Sequence, residues 1–136
     1  MRKLLYLLLL LPFVVVSQGN ESFLKQGHEA QFIEGVKSWK KCYQDNEGKN
    51  KWNMWRRVQG EGSVYTLTSS MAKWAEMDED NDIAGQKCRI KVVDLIRPHI
   101  KSTNYNIARS MPEVSRTTPM PEDTKLVWVC KNQQLR

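Results

Sequence analysis

The sequence has few of the residues that build disulfide-stapled or metal-bound folds. It contains three cysteines, Cys42, Cys88 and Cys130, and two histidines, and no two cysteines have C-x-x-C spacing. So few cysteines exclude a small fold that depends on a disulfide framework. No histidine stands near a cysteine at the spacing of metal ligands, so we expect no metal site. The cysteines are either three small buried side chains, which we favour, or, in an oxidising compartment, one bridged pair and a free thiol.

The motifs of common catalytic chemistries are also missing from the sequence. It has no glycine-rich phosphate loop, no nucleophile elbow and no Ser-His-Asp order. The acidic segment Asp78–Asp82 does not fit a calcium loop, because Ile83 stands where an EF-hand needs glycine and Arg89 where it needs glutamate. We interpret that segment as a solvated loop that caps the following helix. The sequence therefore predicts no cofactor.

One long apolar run is present, at the N-terminus. A short positively charged segment precedes an apolar stretch from Leu4 to Val16, and small or polar residues follow. The stretch is short for a membrane span and has the length of the apolar region of a secretory signal peptide. Val15 and Ser17 suit the small-residue positions before a cleavage site. We expect residues 1–17 to be a signal peptide cleaved after Ser17; the alternative is an uncleaved N-terminal anchor.

The charge that remains after this cleavage is moderate. Removing Arg2 and Lys3 from the 21 basic residues leaves 19, against 15 acidic residues, a net charge of +4. The segment Lys51–Arg57 mixes basic and aromatic residues in a way that suits single-stranded nucleic acid, or a strand with one buried aromatic face. Export and modest charge favour the strand. We expect a periplasmic or extracellular domain that binds no nucleic acid and, once cleaved, no membrane.

Apolar spacing predicts two long helices. The first runs from His28 to about Asn46, and the second from about Ile83 to Arg97, where Pro98 ends it. Each carries an apolar stripe at helical spacing that faces a core. The first stripe consists of Phe32, Val36, Trp39 and Tyr43, and the second of Ile83, Ile90, Val93 and Ile96.

Alternating side chains predict strands around these helices. In chain order the predicted strands are a short one near Ser22–Lys25, then Trp52–Gln59, Ser63–Thr68 and Ser102–Met111. Gly60–Gly62 supplies a hairpin turn, and a short helix that Ser69 or Ser70 caps is expected to reach Met77. The last strand is expected to face a core on one side, and one of its two faces consists of Thr103, Tyr105, Ile107, Arg109 and Met111.

This order predicts an α+β domain over residues 18–116 with the ferredoxin-like β-α-β-β-α-β plan. Its antiparallel sheet carries two long helices on one face. The other face needs a cover, and we expect the domain to form a homodimer through it. Residues 117–136 form a proline-containing linker and an apolar strand, Leu126–Cys130.

Several segments resemble a known superfamily. Lys25–Ala30, with Phe32 and Trp39 after it, is similar to the K-x-G-x-E-A-x-F opening of dimeric α/β-barrel domains. Three later segments resemble an uncharacterised exported bacterial branch of that superfamily: Trp52–Tyr65, Trp74–Asp78 and Met111–Ser115. The resemblance covers residues 25–116 and implies the fold and the dimer. Because the superfamily includes monooxygenase-like, dehalogenase-like and purely structural members, it does not assign a reaction.

The same resemblance bears on the C-terminal strand. Members of the branch look like tandem pairs of domains, and Leu126–Cys130 resembles the opening strand of a second repeat. The chain is then a shortened version or a fragment. The alternative is that this strand completes the sheet of a single domain or exchanges into a partner.

Five residues are candidates for a functional site. Trp55, Arg57 and Tyr65 are expected to project from one sheet face as the wall of a ligand pocket, with Arg57 pairing an anionic group, or to form a dimer interface. His28 and His99 are candidate general acids or bases. Our first hypothesis is an exported interaction domain that dimerises and holds a small apolar ligand. The second is a cofactor-free, monooxygenase-like enzyme with a histidine and Arg57 in one cavity.

Overall fold

A computed structural model describes residues 16–77, 82–109, 111, 113–114, 121 and 123–125. Four strands form one antiparallel sheet in the spatial order β2-β3-β1-β4. The strands are β1 Val16–Leu24, β2 Asn53–Arg56, β3 Val64–Met71 and β4 Ile100–Arg109. The helices are α1 Glu29–Asp45, α2 Ile83–Lys87 and α3 Arg89–Leu95, with 3-10 turns at Trp74–Met77 and Arg97–His99. The predicted α+β class is confirmed, and the arrangement is consistent with a ferredoxin-like fold.

Parts of the sequence-based predictions lie outside the described residues. These parts are the signal peptide up to residue 15, the acidic segment from Asp78 to Asn81 and the strand Leu126–Cys130. Cys130 also lies outside the described residues. No helix within the described ranges is long and apolar enough to cross a membrane.

Strand β1 is longer than predicted and lies in the middle of the sheet. It pairs with β3 from Val16 opposite Met71 to Phe23 opposite Val64, and with β4 on its other edge. Most residues of β1 are polar or small, so the alternation of apolar residues predicted only its C-terminal end. Backbone hydrogen bonds to two neighbouring strands hold it in place instead.

Helix α1 carries the stripe that its sequence predicts. Phe32 and Tyr43 are buried, and Val36 and Trp39 are partly buried against the core. Gly35 is also buried, at the point where α1 meets α3. A Cβ atom at Gly35 would lie 2.2 Å from the carbonyl oxygen of Leu95. The close approach of the two helices therefore requires glycine at this position.

The second helical segment differs from the prediction in two ways. It is two short helices that meet at Cys88, and the predicted apolar stripe is confirmed at Ile96 alone, because Ile83, Ile90 and Val93 are 65%, 60% and 41% exposed. The residues that it buries are Ala84, Cys88 and Ile96. Asp82 caps α2 by accepting a hydrogen bond from the Gly85 backbone N–H, with 3.1 Å between the two atoms.

A disulfide explains why the buried stripe shifts. Cys42 of α1 and Cys88 are bonded, with an S–S distance of 2.04 Å and Cα atoms 5.9 Å apart. The expectation of three unpaired buried cysteines is therefore wrong for this pair. The bond fixes Cys88 toward α1, and with it the side of α2 and α3 that faces inward.

Strands β3 and β4 also depart from their predicted form. β3 continues through Ser69 and Ser70 to Met71, so the predicted short helix is reduced to the 3-10 turn Trp74–Met77. On β4, residues 101–109 are all exposed, so the expected core-facing side is wrong. β4 is an edge strand, and α3, only seven residues long, replaces the long helix expected to cover it.

Candidate functional site

The strand register divides the predicted site residues between the two faces of the sheet. Directly opposed residues in antiparallel strands share a face, and successive residues alternate. Tyr65 is opposed by Arg56, and its ring lies 5.1 Å from that of Phe32 in α1, so it lies on the helix-covered face. Trp55 is opposed by Thr66 and lies on the other face, which we call the open face. The predicted single wall of Trp55, Arg57 and Tyr65 is therefore wrong.

A polar network on the helix-covered face centres on Glu29, at the start of α1. Its carboxylate accepts hydrogen bonds from the hydroxyls of Tyr65, at 2.5 Å, and Ser63, at 3.4 Å. The Arg56 guanidinium forms a salt bridge with it, with Nε 3.0 Å from Oε1. Burial, and then the neighbouring Glu29, raises the pKa of Tyr65 to about 12. Tyr65 thus remains a neutral donor that holds α1 on the sheet.

Sequence reasoning missed Glu29 as a residue of this network. It stands within the segment that resembles the superfamily opening, and an acidic residue in the first turn of a helix is common. The pattern signals a helix start, whereas the partners of Glu29 lie on strands 27 to 36 positions away and cannot be identified from spacing.

The open face has an aromatic and cationic patch near the β2 edge. The Trp55 indole N–H donates to the Thr68 hydroxyl, with 3.0 Å between the two atoms. The Arg57 guanidinium lies over the ring of Phe23, 5.9 Å from its centroid, and donates to the Gly62 carbonyl at 3.4 Å. We call Trp55, Phe23 and Arg57 the open-face patch. It combines an indole, a phenyl ring and a guanidinium whose Nε is buried without a hydrogen-bond partner.

Most other open-face positions are small or polar. These positions include Gly19, Glu21, Thr66, Thr68, Asn104 and Asn106. The sequence predicted that the open face carries large apolar residues that need a cover. The structure confines them to the open-face patch and to Val64, which is buried beside Phe23.

His28 and His99 come together beside the N-terminal end of α1. Their Nδ1 atoms are 2.9 Å apart and their ring centroids 5.2 Å apart. Each side chain is partly buried. His28 precedes α1, and His99 ends the 3-10 turn that follows α3. The two predicted catalytic candidates thus contact each other across 71 positions of sequence.

An open groove of about 460 Å³ runs beside this histidine pair. Its lining consists of Ala30, Gln31, Glu34, Gly35, Leu95 and His99. Arg57 is not part of it, since that side chain lies on the open face. Among the residues that the structure describes, no three or more His, Cys, Asp or Glu side chains cluster as metal ligands do.

Comparison with known proteins identifies the fold. No protein-family model and no curated protein matches the chain. Among solved structures, it is similar to a NIPSNAP-like domain protein from Burkholderia xenovorans (TM-score 0.62, 12% identity, covering 79% of this chain and 91% of that one). It is also similar to a NIPSNAP-family protein of unknown function from Agrobacterium tumefaciens (TM-score 0.56, 13% identity, covering 80% and 96%).

A third similar structure is an antibiotic-biosynthesis-monooxygenase-like protein from Bordetella bronchiseptica (TM-score 0.52, 14% identity, covering 71% and 97%). These proteins belong to the ferredoxin-like dimeric α/β-barrel superfamily, and the four-stranded antiparallel sheet with helices in this chain is consistent with a ferredoxin-like fold. At such low identity the likeness establishes the fold alone, and neighbours with different names share it.

Proposed function

We propose that this chain is an exported interaction domain that forms a homodimer through the open face of its sheet. The observation that carries the proposal is the open-face patch. Trp and Arg are enriched at protein interfaces, and the patch places Arg57 over Phe23, and Trp55 two strands away, on the face that the helices leave uncovered. Two sheets that meet there would bury the patch and leave room for a small apolar ligand between them.

The polar network on the other face supports the same assignment. The charged and hydroxyl groups that meet there bind one another: Glu29 holds Tyr65, Ser63 and Arg56. Such a carboxylate stabilises the fold and has little remaining capacity to bind a ligand. In the open-face patch, by contrast, the Arg57 guanidinium lies over the Phe23 ring, makes one long hydrogen bond to Gly62 and leaves its Nε without a hydrogen-bond partner. The surface available for recognition is therefore the open face.

The disulfide supports export. Disulfides persist in oxidising compartments and are rare where thiols are kept reduced. Cleavage after Ser17 leaves Gln18 as the first residue of β1, still opposed by Ser69 on one side and Ile107 on the other. The expected cut would remove Val16 and Ser17, the first two residues of β1, and would leave the strand paired with β3 and β4 from Gln18 onward.

The test of the dimer compares two tryptophans in a chain that starts at Gln18. Sedimentation over a range of concentrations should show a homodimer. Trp55→Ala should raise the dissociation constant of that dimer about tenfold or more, because it removes a central side chain of the interface. Trp74→Ala, on the 3-10 turn, is the matched control and should leave the dimer unchanged. A monomeric wild type, or equal weakening by both substitutions, would overturn the proposal.

The test of export follows the full-length chain in cells. We expect secreted or periplasmic protein whose mass corresponds to a start at Gln18 and whose Cys42–Cys88 bond is oxidised. Intact N-terminus in the cytoplasmic fraction would refute the export part of the proposal while leaving the dimer test unaffected.

The alternative was a cofactor-free, monooxygenase-like enzyme. It required His28 or His99 to meet Arg57 within one enclosed cavity. His99 lines an open groove, and Arg57 lies across the sheet from it. The interaction domain is therefore the better supported of the two hypotheses.

A further inference from the structure

The contact between His28 and His99 plays no part in the proposed dimer interface. Two imidazole nitrogens face each other at 2.9 Å in a partly buried position beside an open groove. Neutral imidazole nitrogen is a common ligand for zinc, copper and nickel. The sequence gives no metal-ligand spacing, because the fold alone brings these residues together from positions 71 apart.

The backbone of Lys25 holds both histidines in place. Its N–H donates to the His99 carbonyl at 3.0 Å, and its carbonyl accepts from the His28 N–H at 3.1 Å. The Lys25 ammonium also donates to the Pro98 carbonyl at 2.6 Å, next to His99. The His28 carbonyl accepts from Phe32 in the first turn of α1. These contacts therefore hold the backbones of the two histidines close together without using the imidazole rings.

The separation of the two nitrogens is close to the separation of two neighbouring ligands on one metal ion. Metal–nitrogen bonds of about 2.0–2.1 Å from two atoms 2.9 Å apart enclose an angle of roughly 90°. A tetrahedral ion would hold the same nitrogens roughly 3.4 Å apart at those bond lengths. Neighbouring ligands at right angles are typical of tetragonal Cu²⁺ and Ni²⁺.

We propose that His28 Nδ1 and His99 Nδ1 form a two-histidine site for a divalent transition metal, with Cu²⁺ preferred over Ni²⁺ and Zn²⁺. Within the described residues no third side chain completes a cluster of ligands, so the ion keeps coordination positions for water or a small ligand. Because His99 lines the groove, such a ligand would enter from there. The ring that carries its proton on Nδ1 takes the Nε2–H tautomer when the ion replaces the hydrogen bond between the rings, so both imidazoles bind as neutral ligands.

The binding test uses untagged chain from Gln18 with its disulfide oxidised. Calorimetric titration with Cu²⁺, Ni²⁺ or Zn²⁺ alone should give one ion per chain, with affinity in the order Cu²⁺, Ni²⁺, Zn²⁺. His28→Gln and His99→Gln should each weaken Cu²⁺ binding at least tenfold. The double variant should lose this one-to-one site and retain only weak binding of Cu²⁺ by other side chains. Glu61→Gln, a carboxylate on the hairpin turn, is the control and should bind as the wild type does.

A spectroscopic measurement on the unsubstituted protein keeps the proposal falsifiable if a variant does not fold. Electron paramagnetic resonance of the one-to-one Cu²⁺ complex should show a tetragonal signal with hyperfine splitting from two imidazole nitrogens. Splitting from one nitrogen or none would overturn the proposal. So would tighter binding of Zn²⁺ than of Cu²⁺, or equal Cu²⁺ affinity in the folded double variant.

Discussion

The two faces of the sheet use similar residues for different purposes. On the helix-covered face Tyr65 is buried against Phe32, and its hydroxyl is held by Glu29. On the open face Trp55, opposite Thr66 on the same pair of strands, is only partly buried and has one hydrogen bond, to Thr68. An aromatic residue on a strand therefore reveals its role through the register that assigns its face and through the partners it finds there. The four predictions below test this comparison.

The helical layer should depend most on the disulfide. Cys42→Ser with Cys88→Ser removes a crosslink that closes 46 positions of chain, and we expect a loss of about 4 kcal/mol in the free energy of unfolding, from the entropy of the unfolded chain. Urea denaturation of the oxidised wild type and the double variant measures it. A difference below about 1 kcal/mol would show that α1 and α2 pack without the bond.

A pair of glycines compares the two faces directly. Gly35→Ala places a methyl group against the Leu95 carbonyl, and the clash should cost about 3 kcal/mol because backbone must move. Gly19→Ala, in the middle of β1 on the open face, meets its nearest atom, the Asn106 carbonyl oxygen, at 3.9 Å. That contact is ordinary, so the second variant should be as stable as the wild type. Chemical denaturation of both variants tests this, and equal losses would contradict the assignment of close packing to the helical side alone.

These positions show what the sequence could and could not predict. The stripe of α1 was predictable, since Phe32 and Tyr43 follow a simple helical period over 17 residues. The stripe of α2 and α3 was not, because the inward side is set by a bond between Cys88 and a residue on another helix. Hydrophobic periodicity describes one element at a time and contains no information about such a constraint.

The site residues illustrate the same limit across strands. The sequence placed Trp55 and Arg57 on one side of their strand, as the register shows, but it could not align that strand with β3. A register change of one residue moves a side chain to the other face, and Tyr65 was assigned to the wrong face for this reason. The pairing of His28 with His99 and of Glu29 with Arg56 depends on tertiary structure in the same way.

The Tyr65 hydroxyl should make stability sensitive to alkaline pH. Its pKa in the folded chain is about 12, against an ordinary value of 10.0, so folding favours the protonated hydroxyl. Below pH 10 this contribution is fully present, and it is lost as the pH rises from 10 toward 12, because the unfolded chain loses its proton first. Tyr65→Phe should cost about 1–2 kcal/mol near neutral pH and should remove this part of the alkaline loss.

The control for that experiment is Tyr105→Phe on β4, where the side chain is 58% exposed. Unfolding free energies at pH 9 and pH 11.5 for the three proteins give the comparison. Tyr105→Phe should keep the alkaline slope of the wild type. An unchanged slope in Tyr65→Phe would mean that the network around Glu29 does not hold the hydroxyl in its protonated form.

The smallest effect on stability is expected on the open face. Thr68→Val removes the acceptor of the Trp55 indole N–H but keeps a branched side chain suited to a strand. The indole then faces solvent in the monomer, so the cost should be about 0.5 kcal/mol or less. In the proposed dimer, however, the indole loses the hydrogen bond that orients it, and dissociation should become severalfold easier. Sedimentation and urea denaturation of the same variant separate the two quantities. A large loss of stability with unchanged association would mean that Trp55 serves the core of the domain, and the contrast between the two faces would then no longer hold.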